Sequence, residues 1–276
     1  MPDNQIQHIV PQFYLKFFAG EGGKVSVFDT VKRTFFPAAP RKIGAERDAY
    51  VLKADDNEPC DFDAINRNVE TFCAPYLVHL DPACPTTENW RAMWILSANL
   101  LLRSRCSRDS NLDNTNWLVD LIRRHAMHAD GPIMASPKLA DLLEATAKMQ
   151  YPAIQLAIEE SGRYLKDLGG DLLVPNGDCE FVTSDDPVVL FKDGSLQEMA
   201  RSPFALFKDP TTTLYVPITP RVMCRWRAGG SRGVHEVGCD EVAKLNRLSL
   251  HSVWRQVYAR QRRTLEALVA SGENTD

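Results

Sequence analysis

The chain has 276 residues, 44% of them hydrophobic and 25% charged, with a formal net charge of −4; this is an ordinary globular composition, with room for one large domain or two small ones. No apolar run reaches the ~20 residues of a membrane span, and the N-terminus lacks the basic start and apolar core of a signal peptide, so a cytoplasmic protein with no membrane partner is expected. The charge is uneven: residues 201–276 hold 12 Lys and Arg against 7 Asp and Glu, and residues 1–200 hold 20 against 29. An acidic and a basic segment facing each other would suit a metal-bridged anionic substrate, although two complementary halves of a fold produce the same asymmetry.

The first stretch, Gln7 to Ala19, sets His8, Gln12, Tyr14 and Lys16 among large apolar residues. Pro11 biases Val10 toward extended backbone, so the chain enters extended and turns helical after the proline, with Phe13, Phe17 and Phe18 as a buried anchor. His8 then lies just ahead of a helix start with Gln12 within one turn, a placement that suits an anion or a metal; satisfying nearby backbone groups is the plainer role. After the glycine turn at Gly20 to Gly23, Lys24–Asp29 alternates as a half-buried strand and Arg33–Phe36 is its return, ended by Pro37 and Pro40. Ile43–Leu52, carrying Glu46, follows. Asp61–Leu77 reads as a helix with Ile65, Val69 and Phe72 on its apolar side and Glu70 beside them.

A second helix opens at Thr86-Thr87-Glu88-Asn89 and is apolar nearly all round, from Trp90 to Leu101, which places it in the core. It ends in Arg103, Arg105 and Arg108, either complementing the helix dipole or holding a phosphate or carboxylate. Further helices are expected over Trp117–His128 and Lys138–Leu168, with a break near Pro152, and the pair His125 and His128 has a spacing that permits a metal. From Gly169-Gly170 the pattern changes to short strands at Leu172–Val174, Glu180–Thr183, Pro187–Phe191, Thr213–Val216 and Val222–Trp226. A helix over Glu241–Ser249, a strand over Val253–Tyr258, a short helix over Thr264–Ala270 and a disordered tail over 271–276 complete the chain. The expectation is a single α+β domain over residues 1–270, with an N-terminal hairpin, a largely helical middle and a mainly antiparallel C-terminal sheet. Seven cysteines (Cys60, Cys73, Cys84, Cys106, Cys179, Cys224 and Cys239), odd in number and without a Cys-x-x-Cys pair, predict reduced, mostly buried thiols.

The opening His8, Pro11, Tyr14, Leu15 and Phe18 match the pattern His-x-x-Pro-x-x-Tyr-Leu-x-x-Phe. With Phe181–Val188, Val216–Pro220 and Asn246, the chain resembles an uncharacterised bacterial family, a domain of unknown function. The resemblance spans nearly the whole chain and implies no activity. It does group Asp185, in Thr183-Ser184-Asp185-Asp186-Pro187, with His8, Gln12, Glu46 and Glu70 as candidate catalytic residues; adjacent aspartates before a proline also make an ordinary turn.

Histidine with several carboxylates suits Mg²⁺ or Mn²⁺, with Glu70 and Asp185 as ligands, and such an ion supports hydrolysis of a nucleic-acid or nucleotide substrate. Tyr14, Lys16, Arg105, Arg225 and Arg227 are the candidate substrate-binding residues. Two carboxylates without metal would instead suit glycosidic hydrolysis. A third reading is non-catalytic: Tyr14, Trp226, Arg225 and Arg227 as a ligand- or nucleic-acid-binding face, although the overall acidity argues against broad nucleic-acid binding. There is no Gly-rich phosphate loop, Gly-x-Ser-x-Gly elbow or His-Glu-x-x-His, which disfavours P-loop enzymes, ordinary esterases and zinc proteases. The catalytic reading requires His8 to lie close to Asp185 or Glu70.

Overall fold

The computed structural model describes residues 6–47, 62–103, 168–192, 195–196 and 211–272. The two helices expected at Trp117–His128 and Lys138–Leu168, together with Arg105, Arg108, His125 and His128, lie outside the described residues except for Leu168, which opens a strand. The protein is α+β, with its strands mainly antiparallel.

Strand β1 (Ile6–His8) pairs antiparallel with β4 (Ala45–Arg47). Between them come helix α1 (Gln12–Phe17) and the hairpin of β2 (Val25–Asp29) and β3 (Thr34–Ala38). β3 runs through Pro37 instead of stopping at it, because β3 is the edge of its sheet, where a missing N–H costs no ladder bond. Helices α2 (Phe62–Val78) and α3 (Thr87–Arg103) pack on each other. The start of α3 is fixed by a reciprocal cap: Asn89 N–H donates to Thr86 Oγ1 at 3.1 Å, and Thr86 N–H donates to Asn89 Oδ1 at 2.9 Å.

The C-terminal half supplies β5 (Leu168–Pro175), β6 (Thr183–Ser184), β7 (Val189–Lys192), β8 (Ser195–Leu196), β9 (Thr212–Thr219), β10 (Val222–Ala228) and β11 (Gly233–Val237). Helix α4 (Cys239–Ser252), β12 (Gln256–Ala259) and α5 (Arg262–Gly272) follow, so the terminal helix runs through Ser271 and Gly272, beyond its expected end. One sheet has the order β11-β5-β10-β9-β7-β8, and a second has β3-β2-β12-β6. The alternation pattern did not reveal β11, which pairs parallel to β5 and leaves Val234, His235 and Glu236 exposed.

Because β11 joins β5 on the side away from β10, the short connection between β10 and β11 must pass over the start of β5. A Cβ on Gly169 would stand 2.0 Å from the Gly230 carbonyl carbon, and one on Gly170 would stand 2.4 Å from the Trp226 ring. Both glycines are required by these approaches.

The two larger sheets carry apolar packing on both faces, the six-stranded one on only part of its far face. The largest core sets Trp90, Met93, Trp94 and Leu100 of α3 against Leu172, Val216, Cys224 and Trp226 of the six-stranded sheet, and it reaches Val25, Val27 and Tyr258 of the other. Trp226 is its centre: its ring meets Trp94 edge-on at 5.3 Å, and its indole N–H donates to Ser97 Oγ at 3.0 Å. On the far faces, Val242 and Leu245 of α4 cover Leu173 and Met223, and Leu265 and Leu268 of α5 cover Phe28 and Val257. Among the described residues no helix is long and apolar enough to cross a membrane.

The expectation of reduced thiols fails for one pair. Cys179 and Cys239, 60 residues apart with Cα atoms 5.5 Å apart, form a disulfide that ties the loop after β5 to the first residue of α4. Topology brings them together, and linear spacing gave no sign of it. Cys73 and Cys224 are free and buried, and Cys84 is free and exposed. Replacing both bridged cysteines by serine is expected to lower stability by about 2–4 kcal/mol in denaturant unfolding. The same loss should follow from reducing the wild type, and reduction should leave the double variant unchanged.

Candidate functional site

The opening motif is built by two short elements. Gly44 O accepts Ile9 N–H at 2.9 Å and Val10 N–H at 3.0 Å, which closes β1 against β4; Pro11 then opens α1, and Leu15 N–H donates to Pro11 O at 3.0 Å. Tyr14, Leu15 and Phe18 go into the core, while Phe13 and Phe17 are only partly buried. With six residues, α1 is too short to offer much of a dipole to an anion.

Gln12 Nε2 lies 3.4 Å from His8 Nδ1. With its amide nitrogen toward the ring Gln12 donates to Nδ1, and the other ring nitrogen, Nε2, is a buried atom. At the end of α3, Arg103 donates to the His8 carbonyl, reaches Asn99 Oδ1 at 3.4 Å and pairs with Glu70 Oε1 at 3.5 Å. Its side chain is 6% exposed, against 30% for Glu70. Arg103 therefore ties the His8 backbone to Glu70, and Gln12 joins them through the His8 ring. Lys16, one turn beyond Gln12 on α1, is exposed.

Glu46 stands apart. The register places Gln7 opposite Glu46 and His8 opposite Ala45, so Glu46 points to the other side of the β1–β4 pair from His8.

Asp185 is buried as a structural acceptor: Oδ1 takes Trp254 N–H at 3.0 Å, and Oδ2 takes Arg255 N–H at 2.9 Å and Gln256 N–H at 2.8 Å. It thereby holds the entry to β12, and nothing in this cradle includes His8 or Glu70. Asp29 secures the same turn from the other side, accepting from Val31 and Lys32 N–H and pairing with Arg255 at 3.0 Å. Among the described residues no group of three or more His, Cys, Asp or Glu side chains is placed to hold a metal ion.

Tyr14 is fully buried, its hydroxyl 2.6 Å from both Thr183 Oγ1 and Pro217 O, and burial pushes its pKa up; it is a latch of the core and offers no surface to a substrate. Trp226 is also fully buried, and strand alternation sends it to the face opposite Arg225 and Arg227. Those two arginines converge with His235 on Asp171. Arg225 grips Asp171 Oδ2 through Nε at 3.0 Å and Nη2 at 2.8 Å, Arg227 lies 3.4 Å from the same oxygen, and His235 Nε2 is 3.0 Å from Oδ1. Burial works to raise the Asp171 pKa, but the bonds from Arg225 and His235 and the two guanidinium charges outweigh it and lower the pKa. Arg225 and Arg227 thus lie across the sheet from α3 and cannot share a substrate pocket with Arg103 and His8.

Of the two residues that matter most to these clusters, Arg103 was named from the sequence only as one of three arginines at a helix end, and Asp171 was not named. Arg103 carried a signal, being four residues from Asn99 in the last turn of a core helix. Asp171, within an apolar strand beside two glycines, carried a weaker one.

A family model for a protein of unknown function (DUF4238) matches residues 6–263. The chain belongs to the DUF4238 family. No curated protein and no solved structure matches it. In this DUF4238 chain the segments that carried the resemblance bind one another: Tyr14 joins Thr183 and Pro217, Phe181 N–H donates to Pro220 O at 2.9 Å, and Asn246 takes Val182 N–H at 3.0 Å while donating to Glu180 O at 2.9 Å.

The cradle around Asp185 should respond to both mutation and pH. Asp185→Asn keeps its size but turns one acceptor oxygen into a donor, and is expected to cost about 1–3 kcal/mol at neutral pH, read by denaturant unfolding. Burial raises the Asp185 pKa to about 6 against the opposing backbone bonds, and burial with the neighbouring Asp185 charge raises Asp186 to about 7. Both groups bind protons more tightly in the native state than at the ordinary value of 3.8; their contribution is full below the unfolded value and is lost as pH rises through about 6 to 7. Asp186→Asn should therefore be more stable than wild type by on the order of 1 kcal/mol at about pH 8, with the difference vanishing near pH 4. A pH-independent difference would contradict this assignment.

Proposed function

We propose that this DUF4238 chain is a hydrolase acting on a nucleic-acid or other phosphorylated substrate, with His8 and Glu70 as its reacting groups. The observation that carries this reading is that Arg103 bridges the His8 backbone and Glu70, with Gln12 on the His8 ring. Imidazole and carboxylate are the usual acid–base pair for adding water across a phosphoester, and a guanidinium matches the phosphoryl oxygens. In the proposed step, water attacks phosphorus as the bond to the leaving oxygen breaks. Glu70 takes the proton from water, and His8, as the imidazolium with the Gln12 amide turned to accept from Nδ1–H, gives its Nε2 proton to the leaving oxygen and is left neutral. Arg103 and exposed Lys16 balance the charge on the phosphoryl group.

A divalent ion, Mg²⁺ or Mn²⁺, would find one carboxylate here in Glu70, with water and substrate oxygens filling its other positions. Asp185 is not part of that set, since backbone N–H groups engage both its oxygens. The same engagement gives the two-carboxylate glycosidic reading no support. A cytoplasmic setting belongs to this proposal, and the Cys179–Cys239 disulfide is the observation that pulls toward an oxidising compartment.

RNA, DNA and nucleotides should be screened with and without Mg²⁺ or Mn²⁺, using wild type, His8→Ala and Glu70→Gln. Turnover is expected in the wild type and should fall about 10²-fold or more in either variant, with circular dichroism unchanged. If no substrate turns over, or if both folded variants keep full activity, the hydrolase assignment is wrong. Loss in His8→Ala with turnover indifferent to the ions would keep the enzyme and discard the metal.

A further inference from the structure

The far face of the six-stranded sheet is covered unevenly. α4 lays Val242 and Leu245 over Leu173, Met223 and Val237. Further along the same strands, Tyr215, Arg225, Arg227 and His235 share the face and remain partly or largely open. Beneath them Asp171 is almost completely buried.

We propose that this open end is a phosphate-binding site separate from the His8 cluster, with Arg227 as its principal donor and Arg225 and His235 beside it. The charge balance is the first argument. Two guanidiniums and an imidazole surround one carboxylate, so Asp171 leaves at least one positive charge uncompensated. The second argument concerns which donors are already used. Arg225 is held in a two-point grip on Asp171 and also contacts the Tyr215 hydroxyl, which fixes its plane. Arg227 has a single 3.4 Å ion pair with Asp171 and makes no hydrogen bond to any other described residue, although its side chain is 45% exposed. A guanidinium has five N–H donors in a rigid fork suited to two oxygens of a phosphate.

Arg225 and His235 suffice to hold both Asp171 oxygens, so the fold gains little from Arg227. Its placement beside an anchored second arginine is what an incoming phosphate would use. Besides Asp171, the opposing charge felt here is that of Glu241, exposed on α4, whose field reaches Tyr215. The phosphate could belong to a nucleic-acid backbone or to a small phosphorylated molecule.

Two probes separate these sources: a short labelled single-stranded DNA, followed by fluorescence anisotropy at low salt, and inorganic phosphate, followed by calorimetry. Arg227→Gln is expected to weaken the bound probe about tenfold, and Arg227→Lys to recover only part of the loss because a point charge cannot make the paired contact. Arg262→Gln removes the same charge from exposed α5, beneath the other sheet, and should leave binding within about twofold. Binding of DNA that phosphate displaces, with a salt slope shallower by about 0.7 in Arg227→Gln, identifies a strand backbone. Binding of phosphate without DNA identifies a small ligand. The proposal is overturned if neither probe binds, or if Arg227→Gln and Arg262→Gln weaken binding equally. No turnover in the wild type, or full turnover in both His8→Ala and Glu70→Gln, while Arg227-dependent binding persists would remove the hydrolase reading alone.

Discussion

The Tyr14 hydroxyl is the contact on which the arrangement depends. From α1 it reaches Thr183 in the four-stranded sheet and Pro217 in the six-stranded sheet, each at 2.6 Å, in a fully buried setting. Its own proton goes to the Pro217 carbonyl, which has none to give, so the Thr183 hydroxyl must donate to it. A buried hydroxyl deprived of either partner would bear an uncompensated desolvation cost of about 1–3 kcal/mol. The two sheets and the motif helix are therefore held in one relative position, and the position of His8, at the end of β1 just ahead of that helix, follows from it.

Around this contact the other polar residues of the core act as substitutes for strand pairing. Asn246 offers the 180–182 segment an acceptor and a donor where no neighbouring strand does. Arg221 serves the loop after β5 likewise, donating to the carbonyls of Pro175 and Cys179 at 2.7 and 2.9 Å. Asp185 does the same for the residues entering β12. Irregular backbone can be buried only when its N–H and C=O groups find such partners.

Three buried aspartates show how environment decides the behaviour of one residue type. Asp29, bonded by the Lys32 N–H and Arg255, and Asp171, gripped by Arg225, are both held below the usual carboxylate range despite their burial. Asp185 meets only backbone amides, which burial outweighs, and its pKa is raised. Asp29 anchors a cation at a strand end and Asp171 within a strand, and the third closes a turn. Only at Asp171 do the surrounding cations outnumber the carboxylate they face and remain open to solvent, which is why the sheet face above it, and not the Asp185 cradle, presents itself to an anion.

The amino-acid sequence by itself determined the α+β class, the core helix from Thr86 onward, the hairpin and most strands, because apolar periodicity, a cap and turn residues are local signals that neighbours only reinforce. It also brought His8, Gln12 and Glu70 together as candidates, through a resemblance whose segments turn out to touch. What it did not contain is which face each polar side chain would occupy and which groups would already be engaged. Trp226 and Arg225 are adjacent in the chain yet separated by the thickness of a sheet, and Glu46 and His8 are turned apart by a strand register. Cys179 and Cys239 meet across 60 residues. Asp185 looks the same in the sequence whether it binds a metal or three backbone amides. Tertiary structure made those choices, because pairing register, chain crossing and the competition for hydrogen bonds exist only once distant segments have met.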